Sequence, residues 1–352
     1  INKNRTSKDS THRDASRQAW VHYNGDEPML EPDILELQNY LEKNSNYKGD
    51  YLTGSVKGLS QLGVFRSVKP VVIELPDTGA VRYMDLHYYL EPSKKQSFAF
   101  DNRITTSSTG QPGISASANY VNRNLNRNAE KLTVSVGAGF ETQTLVFAED
   151  SDDAVEIFNS IEIAPSIQME LVGLSPFSPT ALSKRHRART LITAAYNYEK
   201  REIFNKREVF QLNCIWKFLL GSTQVFEVGL PGASVIKLIN ISPTESFQIR
   251  LDSINDPFLS NAYSNQFVWQ DASFSYEFNN KNRPFKPGKK AFLGANVLFS
   301  ASLDAAGNLL SLFGGLQDTT IDGSSKFLNL KYAQFMRIDT KYILSKKLNS
   351  KS

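Results

Sequence analysis

The chain has a single cysteine, Cys214, in 352 residues. A lone thiol excludes an internal disulfide and a Cys-rich metal site. There is no run of about 18 apolar residues, so no helix crosses a membrane. A dominant charge sign is also missing. Forty Lys and Arg stand against 36 Asp and Glu, net +4, and the basic residues are scattered. That is not the footprint of a nucleic-acid binder. A Gly-rich phosphate cradle with a following lysine is absent, as is any metal-ligand spacing. No charged-then-apolar leader opens the chain; it starts at Ile1, and a leader removed from this piece is expected. Aromatics, by contrast, are abundant. Twenty-two Phe and 14 Tyr favour strands. Composition permits a soluble all-β protein or a membrane β-barrel.

Residues 1–16, "INKNRTSKDSTHRDAS", are charged and nearly free of apolar side chains, which predicts a linker. The next region, 17–92, has a helical rhythm. "EPDILELQNYLEKN" spaces Ile34, Leu37, Tyr40 and Leu41 at helical intervals, and "DYLTGSVKGLSQLG" does so with Leu52, Val56, Leu59 and Leu62. Gly63 stops the second helix. Two strands follow, "VFRSVKPVVIEL" and "AVRYMDLHYYLEP", around the turn "PDTG". With a short strand near "AWVHYN" the order is β-α-α-β-β, a small α/β domain.

From 95 to 352 the helical rhythm nearly vanishes, and about ten two-faced strands are predicted. "QSFAFDNRI" sets Phe98 and Phe100 against Ser97, Ala99, Asp101 and Arg103. "KLTVSVGAGF" sets Leu132, Val134, Val136, Ala138 and Phe140 against Thr133, Ser135, Gly137 and Gly139. The same alternation recurs in "SIEIAPSIQMEL", "FQLNCIWKF", "FVWQDASFSYEF" and "FMRIDTKYIL". In "FVWQDASFSYEF" it groups Val268 with Ala272, Phe274, Tyr276 and Phe278. Successive strand side chains point to opposite faces, so each strand has an oily face and a small polar one. The loop "SPTESFQIRLDSINDPFLSNAY" carries a short helix around Phe247–Ile254.

Both a soluble sandwich and a membrane barrel show this alternation. Sandwich strands are usually about 5–6 residues, whereas several runs here reach roughly 9–12, the length of a tilted bilayer-crossing strand. A sandwich's outer faces carry long solvating charges. Several polar faces here are Ser, Thr, Gly and Asn, which suit a wet lumen. Aromatics at Tyr196/Tyr198, Trp216/Phe218 and Tyr276/Phe278 sit near strand ends, where barrels place their girdles. The pattern favours the barrel.

The junction between the two regions adds a resemblance. "LSQLGVFRSV" places Leu59, Leu62, Gly63, Phe65 and Val68 in the L-x-x-L-G-x-F-x-x-V spacing, which resembles the helix-to-strand corner of POTRA domains. The stretch from "YLEPSKK" to "KLTVSV" is similar to the passage from the last POTRA domain into the first barrel strands of the BamA/TamA outer-membrane assembly superfamily. "NRNLNRNAE", Asn122–Glu130, resembles that superfamily's periplasmic turn between barrel strands two and three. "SINDPFLSNAY" and "DAAGNLLSLF" look closer to the TamL branch. The likeness covers roughly residues 17–345. It implies a mainly β fold: a partial transmembrane antiparallel barrel, about ten of sixteen strands, after a small α/β POTRA domain. The family's Arg-containing lumen loop and aromatic-ended last strand have no counterpart here. A ten-stranded open sheet in lipid leaves unpaired backbone edges, so a fragment is expected, with "LSKKLNSKS" turning towards a further strand.

The resemblance implies an insertase acting by β-augmentation. The client-strand edge is then Gln96, Ser97, Phe98, Ala99, Phe100, Asp101, Asn102, Arg103 and Ile104. Arg337, Asp339 and Lys341 form a charge ladder on the expected lumen face. The implied partners are outer-membrane lipids, nascent outer-membrane proteins and a periplasmic or inner-membrane translocation subunit, with no nucleic acid. No cofactor, metal or catalytic residue is implied. The expected location is a Gram-negative outer membrane, with the POTRA domain in the periplasm. Alternatives are a protein-secretion channel or a passive pore; an outer-membrane enzyme has no converging Ser/His/Asp set behind it.

Several tempting residues have plainer explanations. Asp85 and His87 lie on one face of a solvated strand. His186 in "SKRHRAR" belongs to a basic turn facing solvent or lipid phosphates. Glu162 and Glu170 are roughly 26 Å apart along a strand, too far to act as a glycosidase pair. Cys214 falls on the apolar face. The sequons at Asn4 and Asn240 are chance matches.

Overall fold

The computed structural model describes residues 9–12, 21–24, 28–76, 82–106, 112–142, 160–175, 188–201, 203–220, 223–229, 234–280, 295–308, 318–319, 325–327, 330–332 and 334–346. His186, Asn4, the centre of the "PDTG" turn and the tail after Lys346 lie outside them. The chain forms two compact units. The first joins Ile1–Ser97 with Val121–Leu132 and Glu170–Arg189; the second joins Phe98–Tyr120, Thr133–Met169 and Thr190–Ser352.

In the first unit, β1 (Asp9–His12) pairs antiparallel with β2 (Val21–Asn24). The expected linker over 1–16 therefore contains a strand. Its polar residues alternate without an oily face, so periodicity gave no signal. Two helices follow, α1 (Pro32–Leu37) and α2 (Gly49–Gln61), and then the hairpin of β3 (Phe65–Glu74) and β4 (Met84–Pro92). Among the described residues β2 pairs with β1 and not with this hairpin, so the two strand pairs are separate sheets.

Helix α1 stops at Leu37, short of the predicted Tyr40 and Leu41. The Asn39 side chain takes the chain out of the helix. Its Oδ1 accepts from Leu41 N–H at 3.3 Å and its Nδ2 donates to Leu41 O at 2.9 Å. Local Asn-to-backbone bonds of this kind compete with helix. Ser55 Oγ then accepts from Tyr40 N–H at 2.8 Å, and the Tyr40 ring lies so close to Gly54 that a Cβ there would come within 2.6 Å.

Leu59, Leu62, Val64, Leu30 and Ile34 are the buried core, with Phe65, Val68, Tyr88 and Leu90 packed against them. Gly63 makes the exit from α2 at φ +73, a conformation that costs glycine nothing. Val64 is fully buried, although the sequence spacing does not single it out. Ala129 and Val172 belong to the same core. Ala129 comes from a turn between strands of the large sheet and Val172 from the last residue of one of its strands, so the α/β unit extends beyond the expected 17–92.

Among the described residues the large sheet has fourteen strands, where about ten were expected. Its long members are β5 (Gln96–Thr106), β6 (Pro112–Asn122), β7 (Lys131–Glu141), β8 (Ser160–Val172), β9 (Arg189–Arg201) and β10 (Phe204–Leu220). Each is hydrogen-bonded to the next. The first residues of β5, β7 and β9 and the last of β6 and β8 fall in the first unit. Next come β11 (Gln224–Gly229) and β12 (Val235–Pro243), both antiparallel to β10 and to β13 (Gln266–Asn279). They occupy one position in the sheet, β11 ending at Gly229 and β12 beginning at Val235. Then β14 (Ala295–Ala306) pairs with β13. Three short strands, β15 (Asp318–Thr319), β16 (Ser325–Phe327) and β17 (Leu330–Tyr332), are too brief to show alternation. β17 runs parallel to the start of β13. β18 (Phe335–Lys346) pairs with β14 along its length. Between β12 and β13 lie α3 (Glu245–Ile254), close to the expected helix, and the unforeseen α4 (Pro257–Ala262).

The register assigns faces. Phe218, Phe226, Tyr276, Ala301 and Thr340 form one row across five strands, and Trp216, Val228, Phe274, Leu303 and Ile338 form the second. Between them runs Lys217, Glu227, Ser275, Ser302 and Asp339. The expected grouping fails at one strand. Beyond a register shift at Gln270/Ala272, Trp269 and Phe267 lie opposite Ile236 and Leu238 on the apolar side, while Val268 lies opposite Lys237 on the polar one. The extra residue is Asp271, and a bulge inverts side-chain parity.

Much of the apolar face is exposed. Val136, Phe140, Ile163, Ile167, Phe210, Leu212, Leu238, Phe274 and Phe299 all show extensive exposure. On the other side Glu199 and Asp271 are buried. This inverts the distribution of a water-soluble sheet.

Candidate functional site

The predicted client-strand edge falls on a single strand. Gln96–Ile104 lies within β5, which among the described residues ends the sheet and has β6 as its neighbour there. Phe98 is 70% exposed and Ile104 80% exposed, against 40% for Phe274 inside the sheet. A strand with one neighbour offers its remaining N–H and C=O groups to an incoming strand. The other long end strand is β18, bonded to β14.

At the start of β5 the backbone is held. Arg123 N–H donates to Lys95 O at 2.9 Å. Its guanidinium donates to Lys94 O at 3.3 Å and to Ser97 Oγ at 3.0 Å. Arg123 belongs to the Asn-rich turn between β6 and β7, and that turn is an organised knot. Asn122 Oδ1 accepts from Asn124 N–H at 3.1 Å, Asn124 Oδ1 from Ala129 N–H at 3.2 Å, and Glu130 O from Leu125 N–H at 3.0 Å. Asn126 Nδ2 donates to Glu130 Oε2 at 2.8 Å. Arg127 and Ala129 take left-handed φ values of 66° and 56°, uncommon for residues with a Cβ. The bond from Ala129 N–H to the Asn124 side chain holds Ala129 there.

The knot docks on the α/β core. Asn124 Nδ2 donates to Met29 O at 2.8 Å, Glu31 N–H donates to Arg127 O at 2.8 Å, and Arg127 pairs with Glu31 at 2.7 Å. Ala129 is buried there with Leu30, Ile34 and Leu59. The first residue of β9, Arg189, donates its guanidinium to Gln61 O at the end of α2 and pairs with Glu170. A cation there meets the negative end of the helix dipole. A cavity of about 10 Å³, lined by Gln38, Gln61, Leu62, Val172, Ala188 and Arg189, is too small for a ligand larger than water. The sequence marks the turn by its asparagines, which tolerate left-handed backbone. It gives no sign that Asn124, Arg127 and Arg189 reach the α/β core.

Arg337, Asp339 and Lys341 do share a face. They lie opposite Asp304, Ser302 and Ser300 of β14, and Arg337 Nε binds Asp339 Oδ2 at 2.6 Å. The same face carries polar residues that periodicity grouped but did not pair. Lys217 meets Glu227 at 2.7 Å, and Asp304 Oδ1 accepts from Gln270 at 2.7 Å and Ser273 at 2.8 Å. Glu162 accepts from Asn197 at 2.6 Å and Glu170 pairs with Arg189, so each has its own partner. Asp85 and His87 are both exposed on β4. Among the described residues no group of His, Cys, Asp and Glu forms a metal cage, and no helix is long and apolar enough to cross a membrane.

No family model matches the chain. No curated protein matches it either. Solved structures do. One is the crystal structure of BamA from Haemophilus ducreyi lacking POTRA domains 1-3, at 11% identity and a TM-score of 0.43. The match covers 85% of this chain and 60% of that one. So distant a likeness assigns no activity to this chain.

Proposed function

We propose that the chain forms part of the wall of an outer-membrane β-barrel, preceded by a POTRA-like periplasmic module, and that it assists insertion of outer-membrane proteins. The observation that carries this reading is the inverted polarity of the sheet, with an apolar face exposed and a paired polar face behind it. Lipid is the solvent in which an exposed apolar sheet face is stable. Strand length agrees. From Glu208 to Leu220, β10 runs about 40 Å at about 3.3 Å per residue. A tilt of about 40° leaves about 30 Å along the membrane normal, enough for an apolar band of about 25 Å with its aromatic girdles.

Within that reading β5 is the working part. An incoming strand pairs with the backbone of Phe98–Ile104, extends the sheet, and is released once its own hydrogen bonds close. The free energy comes from satisfying the client's backbone and burying its apolar face in lipid, with no covalent step and no cofactor. Arg337, Asp339 and Lys341 line the wet interior. The POTRA-like module receives clients or a translocation subunit from the periplasm.

Photo-crosslinkers placed singly at Gln96–Ile104 in the intact protein test this. Capture of nascent outer-membrane strands at Phe98, Phe100 and Ile104 is expected. Capture confined to polar-face positions such as Ser275 and Asp339 would point to a pore or secretion channel and sink the edge mechanism.

A further inference from the structure

The Asn122–Glu130 knot grips two segments at once. On one side Asn124, Arg127 and Ala129 hold Met29–Glu31. On the other, Arg123 holds Lys94, Lys95 and Ser97. Arg123 and Asn124 are consecutive, so the two grips are one peptide unit apart. The turn that carries both grips is closed by bonds from Ala129 N–H to Asn124 Oδ1, from Leu125 N–H to Glu130 O and from Asn126 Nδ2 to Glu130 Oε2, with Arg127 and Ala129 in left-handed geometry. Beyond Ser97 every described residue to Thr106 is exposed, with β6 as the strand's neighbour. β5 is pinned at its first residues by Arg123 and exposed along the rest.

We infer that the knot is a coupler, which fixes the start of β5 through Arg123 and transmits to it any displacement of Met29–Glu31. A polypeptide docking on the α/β module then alters how firmly the first residues of β5 pair with β6. Arg123 is a positioning residue; it acts on the strand and not on a client. The coupling stands on contacts within one compact unit. Its consequence for clients rests on the edge mechanism proposed above.

Amide hydrogen exchange on the intact protein in lipid bilayers tests the coupling. Arg123→Ala is expected to speed exchange at Gln96–Phe100 about tenfold, the change expected from losing charge-assisted hydrogen bonds. Arg123→Lys keeps the charge but not the fork, and should fall between. The decisive variant is Arg127→Ala, four positions along the turn, whose carbonyl and guanidinium both meet Glu31. Faster exchange at Gln96–Phe100 in that variant, with β13 and β14 unchanged, supports a relay. Loosening confined to residues 28–31 and 122–130 overturns it, as does a uniform rise that includes β13 and β14. A crosslinker at Phe98 in otherwise wild-type protein separates the two ideas. If it captures no client strand the edge mechanism fails, while the exchange result on coupling stands by itself.

Discussion

Asn124 donates its side-chain amide to the carbonyl of Met29 at 2.8 Å, across 95 residues of sequence, while its oxygen accepts from Ala129 N–H at 3.2 Å. One buried side chain thus closes the turn and docks it. Asn124→Ala leaves both main-chain groups without these partners. A buried polar group left unsatisfied costs about 1–3 kcal/mol, so the first unit should lose about 3 kcal/mol of stability. Exchange protection at Leu30, Ile34 and Leu59 reads this directly. Asn124→Asp, which keeps the acceptor and loses the donor, should lie between. Wild-type protection in Asn124→Ala would mean that the turn is a passive connection.

The face assignment makes a sharper demand on the sheet. Phe274 and Ser275 are neighbours on opposite faces of β13. In a bilayer Phe274→Arg places a cation in lipid, at about 2–4 kcal/mol near the midplane, whereas Ser275→Arg places one opposite Glu227 on the polar face. Heat-modifiability and folding yield into vesicles should fall for Phe274→Arg and hold for Ser275→Arg. In a water-soluble sandwich Phe274, already 40% exposed, would accept arginine freely. Comparable yields for the two variants would remove the membrane.

Much of this was legible in the residues. Alternation located the long strands and assigned Phe98, Phe100, Val136 and Phe140 to one face, because a pleat has a period of two. The Leu59–Val68 corner was readable because a helix and the strand after it share one core. Legibility ended where structure depends on non-local contacts. The Asp271 bulge reverses parity within β13, and a period-two template carries straight through it, which is why the spacing groups Val268 with Phe274. Tyr40 and Leu41 keep helical spacing although Asn39 has ended the helix. The docking of Asn124 and Arg127 on Met29–Glu31 is a tertiary contact with no local periodicity to announce it. For the same reason the boundary at 92 leaves out Ala129 and Val172, which complete the α/β core.

The interruption between β11 and β12 makes a packing prediction. Gly229 ends β11 against Ser234. A Cβ at 229 would stand 2.1 Å from Ser234 Cβ and 3.0 Å from Ser273 Cβ. Ser234 cannot easily yield, since it is fully buried and its Oγ donates to Gln270 O at 2.9 Å. Gly229→Ala should therefore cost about 1–3 kcal/mol, the usual range for overpacking, and raise exchange in β11 and the adjoining part of β13. Gly49→Ala is the control, because nothing lies within 4 Å of the added methyl. Equal melting temperatures for the two variants would contradict the close approach.

The α/β unit should respond to pH in two opposite directions. The Tyr88 hydroxyl, which donates to Asn39 Oδ1 at 3.2 Å, is pushed above the ordinary tyrosine value, mainly by burial. A raised folded pKa means that its contribution is complete below the ordinary tyrosine value and is lost as pH rises through the raised one. Glu91 is held below the ordinary glutamate value, first by its hydrogen bond from Arg66 and then by that cation's charge. Its contribution is complete above the ordinary glutamate value and is lost as pH falls through the depressed one. The Glu91–Arg66 pair is well exposed, so its effect should be small and screened by salt. Tyr88→Phe should flatten the alkaline loss of protection at Leu59 and Leu62 without altering the acid side. Glu91→Gln should do the reverse, and only at low ionic strength. An alkaline loss that persists unchanged in Tyr88→Phe would assign the titration to a different group.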